Sequence, residues 1–239
     1  MQKGKVSIIL PFHTTAPSLP ECLDSIVNQT YSDWEVLAVN DHSSDNSFEL
    51  LTSYSQKDER IKVFQNKGNG IIPALQTGYA QSSGDFVTRM DSDDIMKSNR
   101  LEAMVNALQE KGIGHIAVGQ VKYFSSRGIS NGYERYEEWL NRLTSTGSNF
   151  DEIYKECVIP SPCWMAHRDD FEKCKGFELQ RYPEDYDLKI DMWSNSNGDQ
   201  LKYLFSNLVK LKLSDDASNL MNIAILTNAY YPQKNITDK

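Results

Sequence analysis

The first half of the chain alternates short β-prone apolar runs with amphipathic stretches, and that rhythm limits the possible folds more than any other feature. Val6-Ser7-Ile8-Ile9-Leu10 is a buried-type strand stopped by Pro11. Leu19 to Gln29 then carries Cys22, Leu23, Ile26 and Val27 at helical spacing, with Ser18 a candidate N-cap and Pro20 tolerated in the first turn. Trp34 to Val39 reads as a second strand, and Phe48, Leu50, Leu51 and Tyr54 mark a second helix. Ile61 to Phe64 is a third strand, followed by a glycine-containing loop, Asn66-Lys67-Gly68-Asn69-Gly70, and a helix from Pro73 to Gln81. This β-α-β-α order predicts an α/β fold with a mostly parallel central sheet and helices on both faces.

The fourth predicted strand, Phe86 to Met90, runs directly into Asp91-Ser92-Asp93-Asp94, three carboxylates within four residues. Carboxylates that close repel one another unless they are solvated or neutralised by a cation. At the C-terminal end of a sheet strand they sit where open α/β proteins bind ligands. The combination points to a divalent metal site serving a phosphate-bearing substrate; the bland alternative is a solvated acidic turn capping a helix that begins near Ser98. The net charge of -8 argues against nucleic acid or an anionic membrane as the main partner. An anionic nucleotide therefore needs local positive help, which a cation supplies.

Other signals are quieter. No basic segment leads into an apolar one at the start, and no apolar run approaches the ~20 residues that span a bilayer. The nearest two of the four cysteines are separated by five residues, not a zinc-like spacing, and all four read as reduced thiols of a cytosolic protein. Further along, Leu101 to Lys111 predicts a helix and Ile116 to Phe124 a strand. Tyr136, Trp139, Leu140 and Leu143 form a helical stripe that reads as core packing. Cys163 to Ala166 predicts a strand, Asp170 to Lys175 a short helix, and Tyr182 to Trp193 a helix opened by an acidic motif. Leu201 to Phe205 and Leu208 to Leu213 are two more β-prone runs. With no repeat and no linker, residues 1–239 are expected to form one domain, its nucleotide-binding part over 1–124 and its acceptor part over 125–239.

Four separated segments agree on a family: Val6 to Phe12 ending in Pro11-Phe12; Val39-Asn40-Asp41-His42-Ser43-Ser44-Asp45-Asn46; Asp91-Ser92-Asp93-Asp94; and Pro183-Glu184-Asp185-Tyr186-Asp187-Leu188. In this order they resemble the family 2 glycosyltransferases, whose GT-A fold is a Rossmann-like nucleotide-diphospho-sugar transferase domain. Ser25 to Tyr31 and Gly70 to Gly78 resemble the family's first-helix and third-helix signatures. The resemblance covers about Lys5 to Trp193.

The resemblance implies roles. Pro11 and Phe12 would wall the base pocket, and Asp41 would accept a hydrogen bond from the base, typically uracil N3–H, a contact that suits uracil or thymine. Asp45 better fits an Asx-turn. Lys67 could reach the nucleotide or its phosphates. Asp93 matches the chief metal ligand of the D-x-D motif. Asp91 would contact ribose, donor sugar or metal, with Ser92 beside it in the donor contact set. Mn2+ or Mg2+ is the implied cofactor. Asp185 matches the base that deprotonates the acceptor, with Glu184 orienting it or binding the acceptor. Trp164 and His167 are candidates to line the acceptor pocket, or core.

The chain departs from the family pattern at His13, where Asn is usual, and at Asn40-Asp41-His42-Ser43, where Asp-Asp-Gly-Ser is usual. It lacks a Q-x-x-R-W motif after Glu184-Asp185, which favours an enzyme adding one sugar over a processive synthase. The expectation is an inverting, metal-dependent glycosyltransferase. It would move a hexose from a UDP- or dTDP-sugar to a saccharide or lipid-linked acceptor in cell-surface polysaccharide synthesis. It would act in the cytoplasm, with peripheral association at the inner face of the membrane and oligomeric state left open. The rival reading is a non-catalytic nucleotide-sugar binding protein on the same fold.

Overall fold

A computed structural model of the chain describes residues 4–153, 155–178 and 202–212, the last stretch through its backbone. Strands β1 (Val6–Phe12), β2 (Trp34–Asn40), β3 (Ile61–Gln65) and β4 (Phe86–Arg89) alternate with helices α1 (Leu19–Val27), α2 (Ser47–Ser55) and α3 (Ile71–Ala80). A two-residue strand β5 (Ile95–Met96), helix α4 (Arg100–Lys111), β6 (His115–Phe124), α5 (Asn131–Thr146), β7 (Trp164–His167), α6 (Arg168–Lys173) and β8 (Lys202–Lys212) follow. Among the described residues, eight strands form one sheet in the order β3-β2-β1-β4-β7-β6-β8-β5.

The first four strands in that order run parallel, as the alternation predicts. Strand β7 is antiparallel to both β4 and β6, so β6 points the same way as β4. The two β-prone runs read around residues 201–213 are one strand, β8, which lies parallel to β6. The pairing carries a register shift between Gly119 and Val121. The small strand β5 was not foreseen, because two residues carry no periodicity to read.

Strand alternation sorts the core. Val6, Ile8, Leu10 and Phe12 of β1 pack with Leu23 of α1, Leu51 of α2 and Val105 of α4 on one face. Ile9, Leu37 and Val87 face the other way, toward Leu75 of α3, Leu143 near the end of α5 and Phe171 of α6. Helices therefore cover both faces. At the foot of the sheet, Gly84 lies so close to β1 that an added Cβ would stand 2.6 Å from the carbonyl oxygen of Lys5. Arg100, fully buried at the start of α4, donates through Nη2 to Thr88 Oγ1 at 3.1 Å and to the carbonyl of Pro162 at 2.5 Å, bracing β4.

Because β1, β2, β3 and β4 are parallel, their C-terminal ends bring residues 13–18, 41–46, 66–70 and 90–94 to one edge. The strand order changes direction between β1 and β4, the position at which open α/β sheets open a crevice.

Candidate active site

A cavity of about 340 Å³ lies at that crevice, lined by Pro11, Phe12, His13, Asp41, Ile71, Arg89, Asp91, Ser92 and Asp93. Of the residues singled out from the sequence, Pro11, Phe12, Asp41, Asp91, Ser92 and Asp93 thus meet around one space. Lys67 is exposed on the neighbouring loop and does not line it. Glu184 and Asp185 lie outside the described residues.

Asp41 follows the last residue of β2, and its backbone N–H donates to the carbonyl of Phe12 at 2.8 Å. Its carboxylate is oriented by the β3–α3 loop. Asn66 Nδ2 donates to Oδ1 at 2.7 Å, and the N–H of Gly70 donates to both oxygens at 3.0 Å. Asn66 itself is buried and also accepts from the N–H of Gly68 at 3.0 Å. Gly70 adopts φ 92°, a conformation that L side chains rarely take, and thereby turns its N–H toward Asp41. Sequence reading passed over Asn66, although a buried Asn at the end of a strand beside two glycines is a recognisable loop organiser.

His13 places Nδ1 2.5 Å from the carbonyl oxygen of Asp41, so that nitrogen carries the proton and Nε2 is left for other contacts. Thr14, at φ 52°, donates its N–H to Ser43 Oγ at 3.0 Å, and Ala16 N–H donates to Asp45 Oδ2 at 3.0 Å. Asp45 Oδ1 also accepts from the N–H of Ser47, the Asx-turn expected of it. His42 takes φ 57°, and its Nε2 lies 2.8 Å from the carbonyl oxygen of Gly68. That left-handed backbone accounts for a glycine being the usual residue there. These contacts lock three loops around Asp41.

The acidic turn is arranged unevenly. Arg89, the last residue of β4, donates through Nε to Asp91 Oδ1 at 2.7 Å; the arginine side chain is 7% exposed and the aspartate 28%. Asp93 lines the cavity, whereas Asp94 is buried and outside the lining, its N–H donating to the carbonyl of Asp91 at 3.2 Å. Beneath the turn, burial first, and then the charges of Asp94, Asp93 and Asp91, push the Cys22 thiol well above its ordinary pKa. None of the four cysteines forms a disulfide among the described residues.

Other candidates lie elsewhere. Trp164 is buried and stacks on Phe171 with ring centroids 5.6 Å apart, so it belongs to the core. His167 pairs in register with Phe86, at the end of β4 opposite the cavity. Ser18 starts α1 without capping it; its hydroxyl donates back to the carbonyl of Thr15 at 3.2 Å. The Tyr136–Trp139 pair is stacked on α5, and Leu140 and Leu143 are buried, as core packing requires. Among the described residues no helix is long and apolar enough to cross a membrane.

A divalent cation can be weighed against this donor set. Among the described residues no three His, Cys, Asp or Glu side chains converge as a ready-made cage. The acidic turn puts two carboxylates, Asp91 and Asp93, on the cavity wall, and Asp91 is paired with Arg89. That set fits a hard cation held by one or two carboxylates and completed by substrate phosphate and water.

Residues 7–175 match the family model described as Glycosyl transferase family 2. A protein of Rickettsia bellii described as an uncharacterized glycosyltransferase is 28% identical over 224 residues, covering 93% of this chain and 31% of that protein. Glycosyltransferase GlyA of Streptococcus pneumoniae is 30% identical over 179 residues, covering 74% of this chain and 26% of that protein. The chain thus spans about a third or less of the length of these two relatives. Among solved structures, S. aureus TarS 1–349 in complex with UDP-GlcNAc superposes with a TM-score of 0.68 at 19% identity, over 89% of this chain and 59% of that one. The mannosyltransferase PcManGT of Pyrobaculum calidifontis, in complex with GDP-Man and Mn2+, superposes at 0.66 and 16% identity, over 93% and 61%. At these identities the likeness concerns the fold.

Proposed function

Because this chain belongs to glycosyl transferase family 2, we propose that it is an inverting, metal-dependent glycosyltransferase that moves a hexose from a UDP- or dTDP-sugar to a saccharide or lipid-linked acceptor. The observation that carries the reading is the single cavity in which Pro11, Phe12, Asp41, Asp91 and Asp93 meet at the switch point of the sheet. On this reading residues 1–124 hold the donor and the later part of the chain receives the acceptor.

Pro11 and Phe12 flank the base. Asp41 accepts from Asn66 through Oδ1 and from Gly70 through both oxygens, which fixes the carboxylate and leaves it lone pairs for one N–H of the base, a match for N3–H of uracil or thymine. Asp91 and Ser92 meet the sugar hydroxyls of the donor. Asp93, with Asp91 as a second candidate, would hold Mn2+ or Mg2+; when bound, that ion neutralises charge on the departing nucleoside diphosphate. GDP-Man and Mn2+ in PcManGT supports a cation-assisted donor on this fold. Lys67, exposed on the β3–α3 loop and outside the lining, is the weaker candidate for the phosphates.

The transfer itself is a displacement. Asp185 takes the acceptor hydroxyl proton as that oxygen forms a bond to the anomeric carbon. The bond from the anomeric carbon to the diphosphate oxygen breaks, and the electron pair leaves with the nucleoside diphosphate. Glu184 orients Asp185 or the acceptor. The test is release of UDP from a panel of UDP-hexoses, with acceptor saccharides, in Mn2+. Asp93→Ala and Asp185→Asn should each lose transfer by at least about 100-fold. Full turnover by Asp185→Asn removes the base assignment, and tight UDP binding with no turnover in the unmutated protein returns the reading to a binding protein.

A further inference from the structure

Helix α3 packs on β1 and β2 through a face that carries Leu75 and Gly78, both buried. The approach is close: a Cβ added at Gly78 would stand 2.8 Å from Ile9 Cγ2 and 3.2 Å from Val39 Cγ2. Ile71, the first residue of the helix, lies four residues before Leu75 and seven before Gly78, so it continues the same face. The helix links two parallel strands and runs against them, which carries its first turn past their C-terminal ends. There the face no longer has a strand beneath it. Ile71 is 40% exposed and lines the cavity, whereas Pro11 and Phe12, the other apolar residues of the lining, are buried. The strand order β3-β2-β1 sets Asp41, after the end of β2, between the end of β1 on one side and the β3–α3 loop on the other. Gly70, next to Ile71, is the residue whose N–H meets both oxygens of Asp41 at 3.0 Å. A planar group whose edge meets Asp41 thus comes within reach of the Ile71 side chain.

We infer that Ile71 is a donor-contact residue whose side chain packs on the nucleobase that Asp41 reads, so that the base completes the apolar face of α3 beyond the sheet. This rests on the nucleotide-sugar reading above and adds to it a contact from the helix side of the cavity. The two residues do different work. Burial of the exposed Ile71 surface is undirected and strengthens binding of the base, while the carboxylate of Asp41 selects which base is bound.

Titration calorimetry in Mn2+ tests this with UDP and with ribose 5-diphosphate, which lacks the base. The proteins are the unmutated chain, Ile71→Ala, Ile71→Leu, Asp41→Asn and the Ile71→Ala/Asp41→Asn double variant. Ile71→Ala should bind UDP about five- to tenfold more weakly, the scale of part of one aliphatic side chain left uncovered, and bind ribose 5-diphosphate within about twofold of the unmutated protein. Ile71→Leu should keep UDP affinity within about threefold. In the Asp41→Asn background, Ile71→Ala should cost the same five- to tenfold again, because two separate contacts add. The ligand-free thermal midpoint of Ile71→Ala should match that of the unmutated protein. Unchanged UDP affinity in Ile71→Ala overturns the inference, as does equal weakening toward both ligands with a lowered midpoint, the mark of a structural role. No further loss in the Asp41→Asn background also overturns it, since Ile71 would then act only through Asp41. In each of these cases the donor reading stands. If the unmutated protein binds neither UDP nor GDP in Mn2+, the donor reading falls and takes the inference with it.

Discussion

At the scale of single residues, the site is a set of side chains aimed by their neighbours. Asp41 is the clearest case, because Asn66 and Gly70 decide which way its carboxylate faces. Asp41→Asn would keep Oδ1 as acceptor for Asn66 and put its NH₂ in the place of Oδ2, where it meets the N–H of Gly70 and that of the base, donor against donor. The variant is expected to lose about 2 kcal/mol of UDP affinity, roughly 30-fold, measured by calorimetry in Mn2+; unchanged affinity would remove Asp41 from base recognition. Asp91 and Asp93 stood out because clustered acids at a strand end are costly without a neutralising partner, and Asp41 stood out through the resemblance of residues 39–46 to the family. Asn66 and Arg89 were harder to find. Their importance depends on which neighbours the fold brings within 3 Å, and a linear reading of a polar loop gives Lys67 as much weight as Asn66.

At the scale of elements, Glu35 of β2 joins four segments at the other end of the sheet from the cavity. It is buried and accepts from Ser7 Oγ of β1 at 2.9 Å, from Ser83 N–H at 2.6 Å and from Lys62 Nζ of β3 at 2.8 Å. Burial alone would raise its pKa, but Lys62, Ser83 and Ser7 together hold it at about 2, below the ordinary 4.5. Its contribution to stability is therefore complete above about pH 4.5 and is lost as pH falls toward 2; the shift corresponds to ~3 kcal/mol. Urea unfolding of Glu35→Gln should show lower stability at pH 7 and a shallower loss between pH 4.5 and pH 2.5; parallel acid limbs in the two proteins would contradict this. The elements themselves were largely readable, since β1 and β2 are short continuous β-prone runs and the helices α1 and α4 carry a helical period. Pairing was not. That β7 inserts antiparallel between β4 and β6, and that residues 202–212 form one strand, depend on partners distant in sequence.

At the scale of the whole molecule, a chain of net charge -8 offers an anionic donor a cavity lined by three aspartates and one arginine. Without a cation such a pocket repels a diphosphate, and with one it holds it, so nucleotide binding and metal binding should be inseparable. Ligand that binds only the folded state stabilises it by about 2.7 kcal/mol at 100 times its Kd, worth roughly 5–10 °C in a protein of this size. The most direct measurement is the thermal midpoint with UDP, in Mn2+ and in EDTA, for the unmutated protein and for Asp93→Ala. The account predicts a rise of several degrees for the unmutated protein in Mn2+ alone, and none for Asp93→Ala or under chelation. An equal rise in EDTA, or a full rise in Asp93→Ala, would contradict it.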